Sequence, residues 1–170
     1  MNKPVSFNTR RLTVSETGQH LSAEERSQLL ARVPLILTPA VVEHLPPYFH
    51  NITSPEAAAH WLEHMVSEGR LATVQYESQA IIGFLFIHTE KDTAHIGYLL
   101  AEPFWGQGLA SELLQGFIAH AKQSGQWQTL MGGVDEANTA SANVLKKLGF
   151  SEIAVNEQRV IFYQYPLNRF

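Results

Sequence analysis

"IGYLLAEPFWGQGLASELL" (residues 96–114) passes from an apolar strand pattern straight into an apolar helix pattern, with two glycines one residue apart at the join. Glycine is a poor helix former, so a GQG where a helix begins needs a reason. One reason is conformational: glycine adopts the left-handed turn at little cost. The other is chemical. The first amides of a helix have no partners inside it, glycines let a ligand approach the backbone, and the helix dipole adds attraction for a phosphate. On the chemical reading, the amides of Gly106, Gln107, Gly108, Leu109 and Ala110 cradle a pyrophosphate.

The flanking sequence supplies the setting. Upstream, LATVQYE (71–77), AIIGFLFIHT (80–89) and TAHIGYLLA (93–101) alternate like strands, with turns at Ser78-Gln79 and Lys91-Asp92, and predict an antiparallel meander. A helix over about 108–123 follows, with Leu109, Leu113, Phe117 and Ile118 apolar and Gly125 beyond its end. QTLMGGV (128–134) reads as a strand and TASANVLKKL (139–148) as a helix closed by Gly149. SEIAV and RVIFYQYPL read as the last two strands. Nearer the N-terminus, RRLTVSE (10–16) is a strand, and residues 22–32 form a helix with Ser22 as cap and Glu25 three residues on. Residues 33–50 are rich in Pro and read as irregular, with a short helix around 39–45. A helix over TSPEAAAHWLEHMVSEG starts at Thr53 or Ser54, carries Pro55 in its first turn and stops at Gly69. This order predicts an α/β (α+β) fold with a mixed central sheet of about seven strands, flanked by helices, and a right-handed crossover from 93–101 to 128–134. Ligands in such sheets bind at carboxyl ends of strands, before a helix. A length of 170 residues fits one domain over 1–170.

Composition narrows the chemistry. There is no cysteine, which excludes disulfides, cysteine nucleophiles and thiolate metal sites and suits a cytoplasmic location. The net charge is −4 and the 12 Lys and Arg are scattered, unlike the basic face of a nucleic-acid binder. No run of about 20 apolar residues suggests a membrane span, and the start, MNKPVSFNTRRL, lacks the apolar core of a signal peptide. The eight histidines are dispersed, without HExxH. His60 and His64 are an i,i+4 pair, but they share the polar face of their helix, so no metal is expected. GQGLAS lacks the third glycine of a dinucleotide fingerprint, and no acidic residue stands about 20 positions on; a P-loop is excluded because no GK[ST] occurs.

The quoted segment resembles the acetyl-CoA-binding segment of the GNAT N-acetyltransferases, in their ribosomal-protein N-acetyltransferase-like (RimJ/RimL-type) branch. The pattern G-Y-x-x-A-E-P-x-W-G-x-G-x-A is matched by Gly97, Tyr98, Ala101, Glu102, Pro103, Trp105, Gly106, Gly108 and Ala110. NTASANVLKKLGF (138–150) resembles the branch's N-x-x-S-x-x-x-x-x-K-x-G-F, and NTRRLTV its opening strand. The resemblance weakens between residues 20 and 70.

The resemblance implies a sheet splayed between its fourth and fifth strands, with pantetheine lying in the gap. It implies that backbone of Leu99, Leu100 and Ala101 bonds the pantetheine arm, and that an amide near Leu100 stabilises the oxyanion. Amides from Gly106 to Ala110, with Ser111, would hold the pyrophosphate. Asn138 matches a residue that touches CoA, although its place before TASANVL equally suits a helix N-cap. The implied reaction is acetyl transfer from acetyl-CoA, without a metal, to a primary amine: a protein N-terminus, a polyamine, an aminoglycoside-like drug or an amino-acid-like metabolite. A monomer or homodimer is implied, with no nucleic-acid or membrane partner. Many such enzymes protonate the leaving thiolate with a Tyr whose slot here is Leu145, leaving Ser141 or water for that work. Where the branch commonly carries Glu, this chain has His95, and a neutral imidazole accepts a proton near neutral pH. His88, Glu102 and water stand beside His95 as alternative bases. The departures at Leu145 and His95 leave a non-catalytic acyl-CoA-binding module as the alternative function.

Overall fold

A computed structural model describes residues 3–17, 21–77 and 79–167. In chain order the elements are β1 (Ser6–Asn8), β2 (Leu12–Thr17), α1 (Ala23–Ile36), α2 (Pro39–Val42), α3 (Pro55–Glu68), β3 (Arg70–Tyr76), β4 (Ile81–Glu90), β5 (Thr93–Leu100), α4 (Leu109–Ser124), β6 (Thr129–Asp135), α5 (Thr139–Lys147), β7 (Ser151–Val155) and β8 (Val160–Pro166). The strands form one mixed sheet in the order β1-β2-β3-β4-β5-β6-β8-β7. Every pairing is antiparallel except β5 with β6.

Pleat alternation on β5 divides the interior in two. Ile96 and Leu100 face α4, where Leu109, Leu113 and Phe117 pack with Val14, Leu85 and Leu130. Leu99 faces the opposite way, into Leu29, Val33 and Ile36 of α1 and Trp61 and Leu62 of α3. The sheet therefore has an apolar layer on each face, as a mixed sheet with helical crossovers requires.

The parallel seam holds only over the first half of β5. Its register runs from Thr93↔Thr129 to Ile96↔Gly132. Beyond that point β5 stays with β4 as far as Leu100↔Gly83, and β6 stays with β8 as far as Asp135↔Val160. The two strands have parted, as expected. Counted along the chain they are the fifth and sixth strands rather than the fourth and fifth, because β1 brings the total to eight. A three-residue edge strand has too few positions for alternation to reveal it. It is held by Phe7, whose ring stacks on His120 at 5.7 Å and packs on Phe117 at 6.4 Å.

Most helix limits follow their caps. Ser22 and Glu25 form a capping box, Ser54 accepts from the Ala57 amide, and Gly125 and Gly149 adopt positive φ after α4 and α5. Helix α1 runs past its expected end and through Pro34 to Ile36. The proline removes one backbone bond, while the extra turn buries Val33 and Ile36, worth roughly 3–6 kcal/mol of apolar transfer. Of the turn expected at Ser78-Gln79, Ser78 lies outside the described residues; the Gln79 amide donates to the Tyr76 carbonyl.

Candidate functional site

Where β5 leaves β6, a cavity of about 440 Å³ opens beside the start of α4, within the usual range for small-molecule sites. Tyr98, Leu99 and Leu100 of β5 line one side, with Gly106, Gly108, Leu109, Ala110 and Ser111 at the helix start. Ala140, Ser141 and Val144 of α5, with its N-cap Asn138, supply another part of the wall, and Ala40, Val41, Glu43, His44 and Leu45 a third.

The glycine turn is built as its sequence demands. Gly106 has φ 74° and Gly108 φ 77°, both left-handed. Gly108 stands at the N-cap of α4 with no side-chain cap. A Cβ on Gly106 would meet nothing within 4 Å, so packing does not require its smallness; the backbone turn and the space beside it do. The Gln107 side chain donates to the Pro103 carbonyl at 3.2 Å and does not border the cavity.

Backbone direction on β5 decides which polar groups the gap receives. The Ala101 amide donates to the Ile82 carbonyl at 2.7 Å, so Ala101 and, by alternation, Leu99 turn their amides towards β4. The Leu100 amide then points into the gap. The Leu100 carbonyl accepts the Trp105 indole N–H at 2.8 Å, and the Ala101 carbonyl accepts the Phe104 amide at 3.0 Å. Of the backbone expected to bond a pantetheine arm, both polar groups of Ala101 and the carbonyl of Leu100 are thus already engaged. Trp105 locks the loop through that bond while the residue stays 48% exposed.

Two hydroxyls meet across the gap: Tyr98 Oη and Ser141 Oγ lie 3.0 Å apart. Burial pushes the Tyr98 hydroxyl above its usual pKa of 10.0, against the smaller opposing effect of the Ser141 hydrogen bond. Tyr98 therefore stays protonated and able to donate near neutral pH. Ser141 is held by Asn138, whose side-chain oxygen accepts the Ser141 amide at 3.3 Å. Asn138 is the N-cap of α5 and borders the cavity as well. Leu145 is buried and packs over Gly132, where β6 turns away from β5.

The other expected residues stand apart from the cavity. His95 faces His88 across β4 and β5, with ring centroids 6.1 Å apart, and its Nε2 lies 3.6 Å from Glu90 Oε2. His88 Nδ1 contacts the Glu68 carbonyl at 3.1 Å. Glu102 is exposed and heads the short 3-10 turn before Trp105. No cluster of three or more potential metal ligands occurs among the described residues. Beyond its motif match, Tyr98 joins the cavity wall without being expected there, and so do Glu43 and His44. Tyr98 was findable, since alternation puts it on the same face as Leu100. Glu43 and His44 carry no local signal, because only the tertiary fold brings them to the cavity.

Comparison with known proteins yields a consistent set of relatives. The family described as acetyltransferase (GNAT) domain matches residues 20–151. An N-acetyltransferase from Bacillus licheniformis, called p20 and described as uncharacterized, is 33% identical over 86 residues, covering 49% of this chain and 48% of the relative. The aligned part is thus about half the length of that relative. Among solved structures, a GNAT-family acetyltransferase from Bacillus anthracis superposes with a TM-score of 0.76 at 13% identity, covering 97% of this chain and all of the other. RimL, a ribosomal L7/L12 α-N-protein acetyltransferase in complex with coenzyme A, superposes at 0.75 with 21% identity, over 93% and 95% of the two chains.

Proposed function

The chain belongs to the GNAT acetyltransferase family, and from that premise we propose that it transfers an acetyl group from acetyl-CoA directly to a primary amine. The observation that carries this reading is the parted β5–β6 seam, with the Leu100 amide inside it and the glycine-headed α4 beside it. A pyrophosphate carries negative charge, and the first amides of α4 are unpaired donors at the positive end of a 16-residue helix. Gly106, Gly108, Leu109, Ala110 and Ser111 are the residues that would hold it. From there a pantetheine arm reaches along the gap in place of a paired strand, and the thioester carbonyl meets the Leu100 amide. That amide is fixed by the sheet before the reaction begins, which is what an oxyanion donor requires.

Attack by a neutral amine forms a tetrahedral intermediate, and its collapse expels the CoA thiolate. The Ser141 hydroxyl, backed by protonated Tyr98, would hydrogen-bond that sulfur from the α5 side of the gap. In this chain the pair takes the place of the family's Tyr, since Leu145 has no proton to give. The acceptor is a protein N-terminus or a small amine.

The test is thiol release from acetyl-CoA across a panel of N-terminal peptides, polyamines, aminoglycosides and amino-acid-like amines. Acetyl-CoA-dependent thermal stabilisation is measured on the same protein. Turnover with at least one primary amine is expected; stabilisation without thiol release from any of them overturns the reading.

A further inference from the structure

Two protons must leave an ammonium acceptor, and the hydroxyl pair at Ser141 carries only one of them, to the leaving sulfur. We propose that His44 is the general base that takes the first proton, with Glu43 as the carboxylate that attracts the cationic acceptor to the mouth. This rests on the acetyltransferase reading above.

The candidate bases are the groups that line the cavity. Its titratable side chains, among the described residues, are Glu43, His44 and Tyr98. Tyr98 is held protonated by burial and cannot accept a proton. The Glu43 side chain is 70% exposed, turned more to solvent than into the cavity. His44 is the group left. Its side chain is 31% exposed, with Nε2 3.8 Å from Glu43 Oε2.

The backbone holds His44 in this position. Just before it, Val42 is buried in the core packed with α1 and α3. The Leu45 amide closes a turn onto the Val42 carbonyl at 2.9 Å, and the Leu45 carbonyl contacts His50 Nε2 at 2.9 Å. The imidazole therefore projects from a turn anchored on both sides. His95 has no comparable approach. It stands five residues before Leu100 on the same strand, roughly 17 Å along it at the usual rise per residue. It is also outside the set of residues lining the cavity.

His44 takes one proton from the ammonium, freeing the nitrogen lone pair. That pair forms the C–N bond to the thioester carbon, and the carbonyl electrons move onto the oxygen facing the Leu100 amide. As they return, the C–S electron pair leaves on sulfur. The second nitrogen proton passes to that sulfur through the Ser141 hydroxyl, giving the amide and free CoA thiol. His44 then sheds its proton to solvent.

The experiment compares wild type with His44→Gln at saturating acetyl-CoA. The acceptors are Nα-acetyl-lysine amide, which must lose a proton before attack, and hydroxylamine, which is already neutral. For His44→Gln, kcat with the lysine amine is expected to fall about 100-fold or more, with hydroxylamine changed less than about threefold. Stabilisation by acetyl-CoA should persist. Equal loss with both amines, no loss with either, or the same selective loss from His95→Gln overturns the proposal. Should wild type turn over neither amine, carbethoxylation mapped by mass spectrometry decides. Shielding of His44 by acetyl-CoA, with none at His88 or His95, sustains the proposal; unshielded His44 overturns it. Absence of any stabilisation by acetyl-CoA is a different result, and defeats the parent reading as well.

Discussion

Gly106 and Gly108 hold the left-handed turn that sets the first amides of α4 beside the cavity. Because a Cβ at position 106 meets no neighbour, Gly106→Ala should cost only the strain of a left-handed alanine, about 1 kcal/mol. Its methyl would stand at the turn where the pyrophosphate is proposed to bind. The melting temperature without ligand should therefore drop slightly, while the gain on adding acetyl-CoA largely disappears. A full gain in Gly106→Ala would show that this turn does not meet the ligand. Ser141 makes a contrasting case, since its hydroxyl partners Tyr98 rather than the glycine turn. Ser141→Ala should lower kcat by about 10- to 100-fold through slower departure of sulfur, with the acetyl-CoA-dependent stabilisation retained. Steady-state kinetics beside a melt separate the two effects.

At the scale of elements, α4 is tied to the start of the chain by one carboxylate. Glu112, in the first turn, accepts the Thr9 hydroxyl at 2.5 Å, the Arg11 amide at 2.7 Å and the Arg11 Nε at 2.8 Å. Burial alone would raise the Glu112 pKa, but these donors and the Arg11 charge together bring it below the usual 4.5. A carboxylate whose pKa is depressed on folding contributes stability that is present above the unfolded value and lost as pH falls through the folded one. Glu112→Gln should therefore cost about 2 kcal/mol at neutral pH, a cost that shrinks as pH drops below 4.5 and vanishes below the lower folded value. Denaturant melts of both forms over that range check this; a difference that stays constant with pH would place the effect in packing. The tether also marks what sequence could reveal. Helix ends at Ser22, Ser54 and Gly125 were legible because a cap acts within a few residues of the helix it ends. The glycine turn was legible for the same reason. Thr9–Glu112 and Tyr98–Ser141, at separations of 103 and 43 residues, leave no such local trace. Neither does the approach of residues 40–45 to the cavity, nor the packing of Phe7 of β1 on Phe117 and His120 of α4.

At the scale of the molecule, the parted seam leaves the sheet joined across its middle by only four residue pairs, Thr93↔Thr129 to Ile96↔Gly132. Beyond them, Leu100 turns its amide into the cavity, while Tyr98 reaches Ser141 through its side chain alone. A ligand lying in that gap bonds both halves at once, whereas one bound on an outer face leaves the seam as it was. Acetyl-CoA at 100 times its Kd should add about 2.7 kcal/mol of stability, roughly 5–10 °C for a chain of this size. Its location is read by hydrogen exchange. Slower exchange is expected at the Leu100 amide and across 106–111, with no change in β7, the exposed edge strand at the far end of the sheet. Slowing at 106–111 without any at Leu100 would mean that the ligand grips the helix start but does not enter the gap. The carbonyl would then lie away from its proposed donor, and the acetyl group would have to be activated elsewhere.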